Sequence, residues 1–274
     1  DEYKVMGLAP YGDPLRFRSV FKNLYNLKDN GEYELSLNPV FDLWPHIHKV
    51  VNLIPPRRTE DPFLQVHKDF AAAIQETLEI LTFHILEYAQ KNTNLENLSF
   101  AGGVAHNCTL NGKIIESGLF KNIFVQPAAH DAGGAIGAAL YAHSIKGPSP
   151  STEKLDHLYF GTPLPRNDEI AKVLSRWQPA IKIKRSDSIC RETAELLANG
   201  AVVGWVQGRS EFGPRALGAR SIIGDARSSA MQSQMNLRIK YRESFRPFAP
   251  SVLSEDVTRY FELEDESPYM LIVA

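Results

Sequence analysis

A pair of successive strand–loop–helix units constrains the fold of this chain more than any other feature. In the first unit a predicted strand, Asn97–Ala101, runs into Gly102 and Gly103, and a helix is predicted to begin near Asn107. Glycines between a strand and the N-terminus of a helix let a nucleotide lie close to the backbone, beside free N–H groups. Alone, these residues indicate an ordinary strand–helix turn more often than a nucleotide site.

The second unit repeats this order. A strand is predicted at Asn122–Val125, a loop at 126–134 and a helix of small residues at Ala135–Ala142. Repetition of strand and helix is typical of α/β proteins. Asp131 lies in the loop, at the carboxyl end of the strand, where open α/β sheets bind their ligands. A carboxylate there is either a helix cap or a ligand to a metal or a substrate hydroxyl, and spacing alone leaves both interpretations open.

A basic, glycine-rich region extends from Trp205 to Leu253. It holds seven arginines and Lys240, and it follows the apolar run Ala201–Val206, which predicts a strand buried on both faces and entered from a turn at Asn199–Gly200. Guanidinium groups bind phosphate or carboxylate oxygens two at a time, and glycines let backbone N–H groups approach the ligand. The region therefore predicts an anion-binding loop. The alternative is a solvated basic surface, which this density of glycine and proline disfavours.

Charge and cysteine content narrow the class of protein. The formal net charge of the 274 residues is −2 at pH 7, so the basic region is a local feature, and the wrapping of duplex nucleic acid is not expected. The two cysteines, Cys108 and Cys190, lie far apart and outside metal-type spacing, which favours a reducing compartment over a disulfide framework. With neither a long apolar run nor a leader in the sequence, we expect a cytoplasmic protein without a membrane segment.

Apolar spacing predicts further helices and a domain boundary. A long amphipathic helix is predicted from about Pro62 to about Lys91. Gly147–Pro150 is typical of a linker and divides the chain into domains 1–147 and 148–274. The second domain is predicted to contain three further elements, namely a helix at Asp168–Trp177, a strand at Ile181–Ile183 and a helix at Ser188–Ala198.

Two other features have limited weight. His46 and His48 form a His-x-His pair that could ligate a metal, but no third ligand lies nearby in the sequence. The chain begins without Met and ends on the apolar run Tyr269–Ala274, which predicts a strand. These ends favour an internal fragment of a longer protein.

Four segments in fixed order carry a wider resemblance: Gly102–Asn107, Asp131–Ala139, Gly208–Ser221 and Lys240–Val252. Together with Lys4–Gly12 they resemble the O-carbamoyltransferase family of nodulation-factor and antibiotic biosynthesis. The resemblance implies an α/β fold. In it the C-terminal half of an actin-like ATPase (ASKHA) domain precedes a truncated domain similar to the carbamoyl-adenylate-forming (YrdC-like) fold.

The resemblance also implies a reaction. ATP, with Mg²⁺, would activate carbamoyl phosphate as carbamoyl adenylate. The carbamoyl group would then pass to a hydroxyl of a small-molecule acceptor, such as a sugar or an antibiotic-like compound, at a metal that is usually Fe²⁺. The acceptor, the pathway and the oligomeric state cannot be read from the sequence.

The same resemblance implies roles for individual residues. Lys240 and Arg242 would bind the phosphates and carbamoyl phosphate as catalytic residues, and Asp131 would be a metal ligand. The implied binding residues are Gly102, Gly103, Asn107, Gly133 and Gly134 for the nucleotide, and Arg209, Arg215, Arg220, Arg246 and Ser251 as lining residues.

One departure keeps other functions open. The family's His-x-x-x-His metal pair would precede the segment matching Lys4, and no two histidines here are four residues apart. A sugar-kinase-like phosphotransferase would use Gly102, Gly103 and Asp131 equally well, although it leaves Lys240 and Arg242 without a role. A nucleotide-binding module without turnover is the third possibility, and the absence of the histidine pair favours it for this chain on its own.

Overall fold

A computed structural model describes residues 2–36, 52, 54–58, 61–147, 155–263 and 266–273. They form two compact units. Unit 1 comprises Asp1–Gln126, Phe245–Pro247 and Leu271–Ala274, and unit 2 comprises Pro127–Ser244 and Phe248–Met270. The contacts thus divide the chain before the linker predicted at Gly147–Pro150. Most of that linker lies outside the described residues, as do His46 and His48, so the boundary at 147 remains a prediction.

Unit 1 mixes helices and strands. In chain order its elements are α1 (Glu2–Leu8), a 3-10 turn (Ala9–Tyr11), α2 (Leu15–Lys22), β1 (Tyr25–Leu27), a 3-10 turn (Asp29–Gly31), β2 (Tyr33–Leu35), α3 (Gln65–Thr93), β3 (Asn97–Phe100), a 3-10 turn (Gly103–His106), α4 (Cys108–Glu116) and β4 (Asn122–Val125).

The structure confirms the long amphipathic helix that the apolar spacing predicted, and α3 runs from Gln65 to Thr93. At its start the Leu64 N–H donates to Nδ1 of His67 at 3.0 Å, while Nε2 of His67 lies 3.1 Å from the carbonyl oxygen of Pro55. At its end Asn94 adopts a left-handed conformation with φ 54°, which satisfies the last turn through a 2.8 Å bond to the Gln90 carbonyl. The side chain of His67 therefore fixes the start of the helix, and the left-handed turn at Asn94 fixes its end.

Packing in unit 1 is organised along α3. Its alanines Ala71 and Ala73 are buried and allow close approach of neighbouring helices. Apolar residues of α1, of α2 and of the α4 region pack along it in three clusters, centred on Leu8, Phe17 and Leu110 respectively. Burial of this kind contributes most of the stability of such a unit.

The predicted strand–loop–helix unit is confirmed in unit 1. Strands β3 and β4 pair in parallel, with Leu98 opposite Ile123 and Phe100 opposite Val125, and α4 connects them. The observed β3 ends at Phe100, one residue before the predicted end. A parallel pair needs such a crossover, so the glycine-containing turn after β3 leads directly to the N-terminus of α4.

Unit 2 is also mixed. In chain order it contains a 3-10 turn (Asp131–Gly133), α5 (Gly134–Lys146), α6 (Asn167–Ser175), α7 (Ile189–Ala198), β5 (Val203–Val206), β6 (Arg220–Ile223), α8 (Met231–Gln234), which continues as a π-helical turn (Met235–Ile239), a 3-10 turn (Ser254–Asp256) and α9 (Val257–Tyr260). The α/β class is confirmed, and the helices predicted at 135–142, 168–177 and 188–198 are present.

Three strand predictions are wrong in detail. Strand β5 forms an antiparallel hairpin with β6, and its residues alternate between half-buried and exposed, so it is not buried on both faces. No strand forms at Ile181–Ile183, where both isoleucines are exposed and pair with no other strand in the described ranges. Residues 269–273 also form no strand. Short apolar runs specify extended backbone but not a pairing partner.

None of the helices within the described ranges has the length and apolarity needed to cross a bilayer.

Candidate functional site

The basic region of unit 2 forms an ordered loop between β5 and β6, residues 207–219, which we call the arginine loop. A preceding segment runs beside it: Gly161 N–H donates to the Ser210 carbonyl at 2.9 Å, and Phe212 N–H donates to the Leu158 carbonyl at 2.7 Å. The Tyr159 hydroxyl donates to the Leu217 carbonyl at 2.8 Å. The loop is therefore held by backbone pairing at Ser210 and Phe212 and by a side-chain hydrogen bond at Leu217.

Glu211 organises the interior of the arginine loop. Its Oε1 accepts hydrogen bonds from the backbone N–H groups of Leu217 at 2.9 Å, Ala219 at 2.7 Å and Arg220 at 3.1 Å. Burial acts to raise the pKa of Glu211, but these N–H groups outweigh it and hold the pKa below its usual range. The carboxylate of Glu211 thus links the first half of the loop to its C-terminal end.

Glycines provide the turns that this link needs. Gly213 and Gly218 have φ values of 111° and 104°, which other residues rarely adopt. A side chain at Gly213 would meet Pro127 and Ala128 only at ordinary contact distance, so the backbone conformation and not the space requires glycine there.

The arginines of the loop, and Arg220 at the start of β6, differ in what they contact. The guanidinium of Arg220 donates to the carbonyls of Gln207 at 2.7 Å, Ala219 at 2.8 Å and Gly208 at 3.3 Å, so it holds backbone. Arg209 donates to the Phe160 carbonyl at 3.3 Å. The Nε atom of Arg215 is buried and has no hydrogen-bond partner among the described residues. A buried donor without an acceptor is costly, and such groups often mark a functional site.

A cavity of about 230 Å³ lies against this loop. It is lined by Tyr159, Gln207, Gly208, Arg209 and Ala219. A second, largely apolar cavity of about 300 Å³ lies between α7 and the β5–β6 hairpin, and Gln207 lines both. The first cavity combines backbone of a glycine with an arginine, which is the combination that binds small anions.

Farther along the chain, Asp225 and Arg227 form a closed pair. The Arg227 guanidinium donates to both carboxylate oxygens at 2.8 to 3.2 Å, and its backbone N–H donates at 3.0 Å. These bonds lower the pKa of Asp225 to about 2. Arg227 is therefore committed to a structural ion pair and is not a candidate binding residue.

Lys240 and Arg242 follow the π-helical turn Met235–Ile239. The backbone N–H of Lys240 closes this turn on the Met235 carbonyl at 2.9 Å. Tyr241 between them has φ 47°, a left-handed conformation that reverses the chain. Lys240 is exposed, and its Nζ contacts no acceptor in the described part of the chain. Local departures of this kind from α-helix are frequent at functional sites.

Arg242 is held from two sides. Its Nε donates to Oδ1 of Asn236 at 2.6 Å, and its guanidinium carbon lies 4.7 Å from the centre of the Phe248 ring. Asn236 is completely buried. The plane of this guanidinium is thus fixed by a hydrogen bond and a ring face.

The other candidate lining residues differ in setting. Arg246 belongs to unit 1, where its guanidinium carbon lies 4.6 Å from the centre of the Tyr3 ring. Ser251 lies in an exposed loop of unit 2.

The nucleotide candidates of unit 1 lie at the N-terminus of α4. Gly102 has φ 99°, and a side chain at Gly102 or Gly103 would meet no atom within 4 Å, so their backbone faces open space. Asn107 is committed to structure: it caps α4 by accepting from Leu110 N–H at 3.0 Å, and it exchanges two hydrogen bonds with the Gln75 amide at 2.8 and 3.1 Å. Asn107 therefore positions the turn that carries the glycines.

Asp131 is exposed at the start of the 3-10 turn Asp131–Gly133 in unit 2. A side chain at Gly133 would approach the Ala128 carbonyl to 2.2 Å, so that glycine allows close backbone packing, while Gly134 faces open space. Within the described ranges, no group of three or more His, Cys, Asp and Glu side chains is placed to hold a metal ion. The residues that the structure describes therefore do not form a complete metal site around Asp131.

Sequence reasoning missed two residues that organise the basic region, Glu211 and Asn236. The sequence did contain a signal for Glu211, because it is an acidic residue within a stretch of arginines and glycines and could accept hydrogen bonds from the backbone of the loop. No local signal identifies Asn236, because its contact with Arg242 depends on the π-helical turn and on the reversal at Tyr241.

Comparison with protein families gives two matches. The family models described as "Carbamoyltransferase N-terminus" and "Carbamoyltransferase C-terminus" match residues 1–140 and 194–274 respectively.

Curated relatives agree with these matches. The nodulation protein NolNO of Sinorhizobium fredii and the nodulation protein NolO of Bradyrhizobium diazoefficiens are each 49% identical over 100% of this chain. A 3'-hydroxymethylcephem-O-carbamoyltransferase of Streptomyces clavuligerus is 37% identical over 64% of this chain and 31% of its own length. The chain spans 40% of the length of the first relative and 49% of that of the second.

Proposed function

The chain belongs to the carbamoyltransferase family, and from that membership we propose that the whole protein is an ATP-dependent O-carbamoyltransferase that forms a carbamoyl adenylate. In this proposal the region from Trp205 to Leu253 belongs to the adenylate-forming domain. The carbamoyl group is then passed to a hydroxyl of a small-molecule acceptor. The finer fold assignment, actin-like for 1–147 and YrdC-like for 148–274, is part of the same proposal.

The proposed first step consumes carbamoyl phosphate, ATP and water. It yields carbamoyl adenylate, pyrophosphate and inorganic phosphate. An oxygen of the carbamate group becomes bonded to the α-phosphorus of ATP as pyrophosphate leaves, and water takes up the phosphoryl group of carbamoyl phosphate. In the second step the acceptor oxygen attacks the carbamoyl carbon, AMP leaves, and the hydroxyl proton is lost. Mg²⁺ would accompany ATP as part of the substrate.

The observation that supports this proposal is that the charged side chains of unit 2 fall into two sets. One set bonds to the loop itself, and the other keeps donors without an acceptor in the described part of the chain. Glu211 and Arg220 use their polar atoms to shape the arginine loop. Arg215 retains a donor without an acceptor in the described part of the chain, and Lys240 is exposed without one. In the proposed reaction the exposed ammonium group of Lys240 would neutralise phosphate charge, including the charge that develops on departing pyrophosphate.

Asp131 is the metal ligand that the family resemblance implies, and no group of three or more His, Cys, Asp and Glu side chains in the described ranges is placed to hold a metal ion with it. Gly102 and Gly103 support the proposed nucleotide site, because they lie at the turn that leads into the N-terminus of α4. The binding role of Gly133 and Gly134, at the turn before α5, stays a prediction.

The test of the proposal uses variants of the full-length protein. Arg242→Ala and Lys240→Ala are expected to lower carbamoyl-phosphate-dependent pyrophosphate release by at least about 100-fold, because each removes a charged group from the phosphates. Arg191→Ala is the matched control: its side chain is 83% exposed on α7 and pairs with Glu195 at 3.1 Å. Normal pyrophosphate release in Arg242→Ala and Lys240→Ala would remove these residues from the mechanism.

A further inference from the structure

We propose that Asn236 is a positioning residue that fixes the guanidinium of Arg242 for anion binding. The inference rests on the proposed function for the identity of the anion, a carbamoyl or nucleotide phosphate. It does not rest on that function for the contact itself, which is a feature of the structure alone.

The amide of Asn236 can be oriented in only one way. Its Oδ1 accepts from Arg242 Nε at 2.6 Å, and its Nδ2 donates to the Ser244 carbonyl at 3.1 Å. A guanidinium group only donates and a carbonyl only accepts, so rotating the amide by half a turn would place donor against donor and acceptor against acceptor. Both partners therefore select the same orientation.

Burial makes this orientation strict. Asn236 has a relative exposure of 0%, so water cannot replace either hydrogen bond. A buried amide that loses its partners retains the full cost of desolvation. Hydrogen bonds to a charged group are also stronger than those between neutral groups. Asn236 thus restrains Arg242 more firmly than an exposed asparagine would.

The backbone brings the two residues together through two irregular steps. In the π-helical turn, the Lys240 N–H reaches the Met235 carbonyl at 2.9 Å, five residues back. The left-handed Tyr241 then reverses the chain, and the Arg242 N–H donates to the Asn236 carbonyl at 3.0 Å. Residues six apart on a regular α-helix do not share a face. Both irregular steps therefore serve to place Arg242 over Asn236.

Phe248 supplies a further restraint on Arg242. Its ring centre lies 4.7 Å from the guanidinium carbon of Arg242. With Nε bonded to Asn236 and one face against an aromatic ring, rotation about the end of the side chain is restricted. An arginine held in this way loses little conformational entropy when it binds an oxyanion through its fork.

The first experiment measures the KM for carbamoyl phosphate in pyrophosphate release by the full-length protein. Asn236→Leu has nearly the same volume and lacks both polar atoms, and it is expected to raise the KM about 10- to 100-fold. Asn236→Asp retains an acceptor for Arg242 Nε and is expected to recover most of that loss.

Two controls separate positioning from a general loss of stability. Asn111→Leu alters another asparagine that is almost fully buried, with 1% exposure and hydrogen bonds to the Ala105 and Leu271 carbonyls. It is expected to lower the unfolding temperature while leaving the KM unchanged. In an Arg242→Lys background, Asn236→Leu is expected to add no further increase in KM. A full, additive effect in that background would overturn the proposal.

A second readout does not depend on turnover. In protein labelled with ¹⁵N-arginine, the Arg242 Nε–H signal, identified by its loss in Arg242→Lys, is expected to exchange slowly with solvent in the wild type. Exchange should become fast in Asn236→Leu and remain slow in Asn236→Asp. If the wild type makes no carbamoyl adenylate, the proposed function fails while this measurement still tests the contact. Equal exchange in the wild type and Asn236→Leu would refute the positioning role.

Discussion

At the scale of single residues, the basic region is ordered by groups that are not basic. Glu211 accepts hydrogen bonds from three backbone N–H groups, two in the arginine loop and one at the start of β6, and Asn236 orients Arg242. The residue type of the arginines predicts anion binding, and this role stays a prediction. The sequence could not show which arginines hold the fold, because Arg220 and Arg227 donate to groups that come within reach only in the folded chain.

Glu211→Ala is expected to destabilise unit 2 by about 2 kcal/mol, because it leaves the N–H groups of Leu217, Ala219 and Arg220 without their acceptor. The folded pKa of Glu211 lies below the unfolded value, so its contribution is present above the usual glutamate pKa and is lost as the pH falls through the folded pKa. Urea denaturation at several pH values measures both effects.

Glu211→Gln is the control for this prediction. It keeps an acceptor oxygen but carries no charge, so it should retain part of the stability and lose the pH dependence contributed by position 211. Equal stability of the wild type and Glu211→Ala across the whole pH range would contradict the role assigned to this carboxylate.

At the scale of elements, local pattern and pairing differ in how well they can be predicted. Helix α3 was predicted closely because its apolar spacing, its alanines and the Asn94 stop all lie within its own sequence. Strands β3 and β4 were likewise predicted within a residue. The prediction that β5 is buried on both faces was wrong, and Ile181–Ile183 forms no strand. Both depend on which strands pair, and pairing partners lie elsewhere in the chain.

The contact between Gly12 and α3 provides a test at this scale. A side chain on Gly12 would lie 2.1 Å from the Lys68 carbonyl oxygen and 2.6 Å from the Asp69 nitrogen, and both are helix backbone. Gly12→Ala is therefore expected to destabilise the protein by about 3 kcal/mol or more, since the 3-10 turn must move away from α3. Thermal unfolding of the full-length protein measures the loss.

Gly204→Ala is the matched control, because a side chain at Gly204 in β5 would meet no atom within 4 Å. It is expected to change the unfolding temperature little. If Gly12→Ala had equally little effect, that result would contradict the close contact described between Gly12 and α3.

At the scale of the whole molecule, the family is established by matches at both ends of the chain, residues 1–140 and 194–274. The sequence allowed this resemblance to be recognised because its ordered motifs extend over both units. It could not give the acceptor, which depends on shape outside the motifs. The chain spans 40 to 49% of the length of the nodulation proteins that it matches, so the reaction proposed above is a proposal about the full-length protein.

The most direct test of the central claim is to incubate the full-length protein with ATP labelled at the α-phosphate, with and without carbamoyl phosphate, and to identify the labelled product. We expect carbamoyl-AMP or AMP, together with pyrophosphate, formed only when carbamoyl phosphate is present. Labelled ADP as the product would instead indicate a phosphotransferase and would contradict the adenylate-forming account. The absence of any labelled product from the full-length protein would contradict it as well.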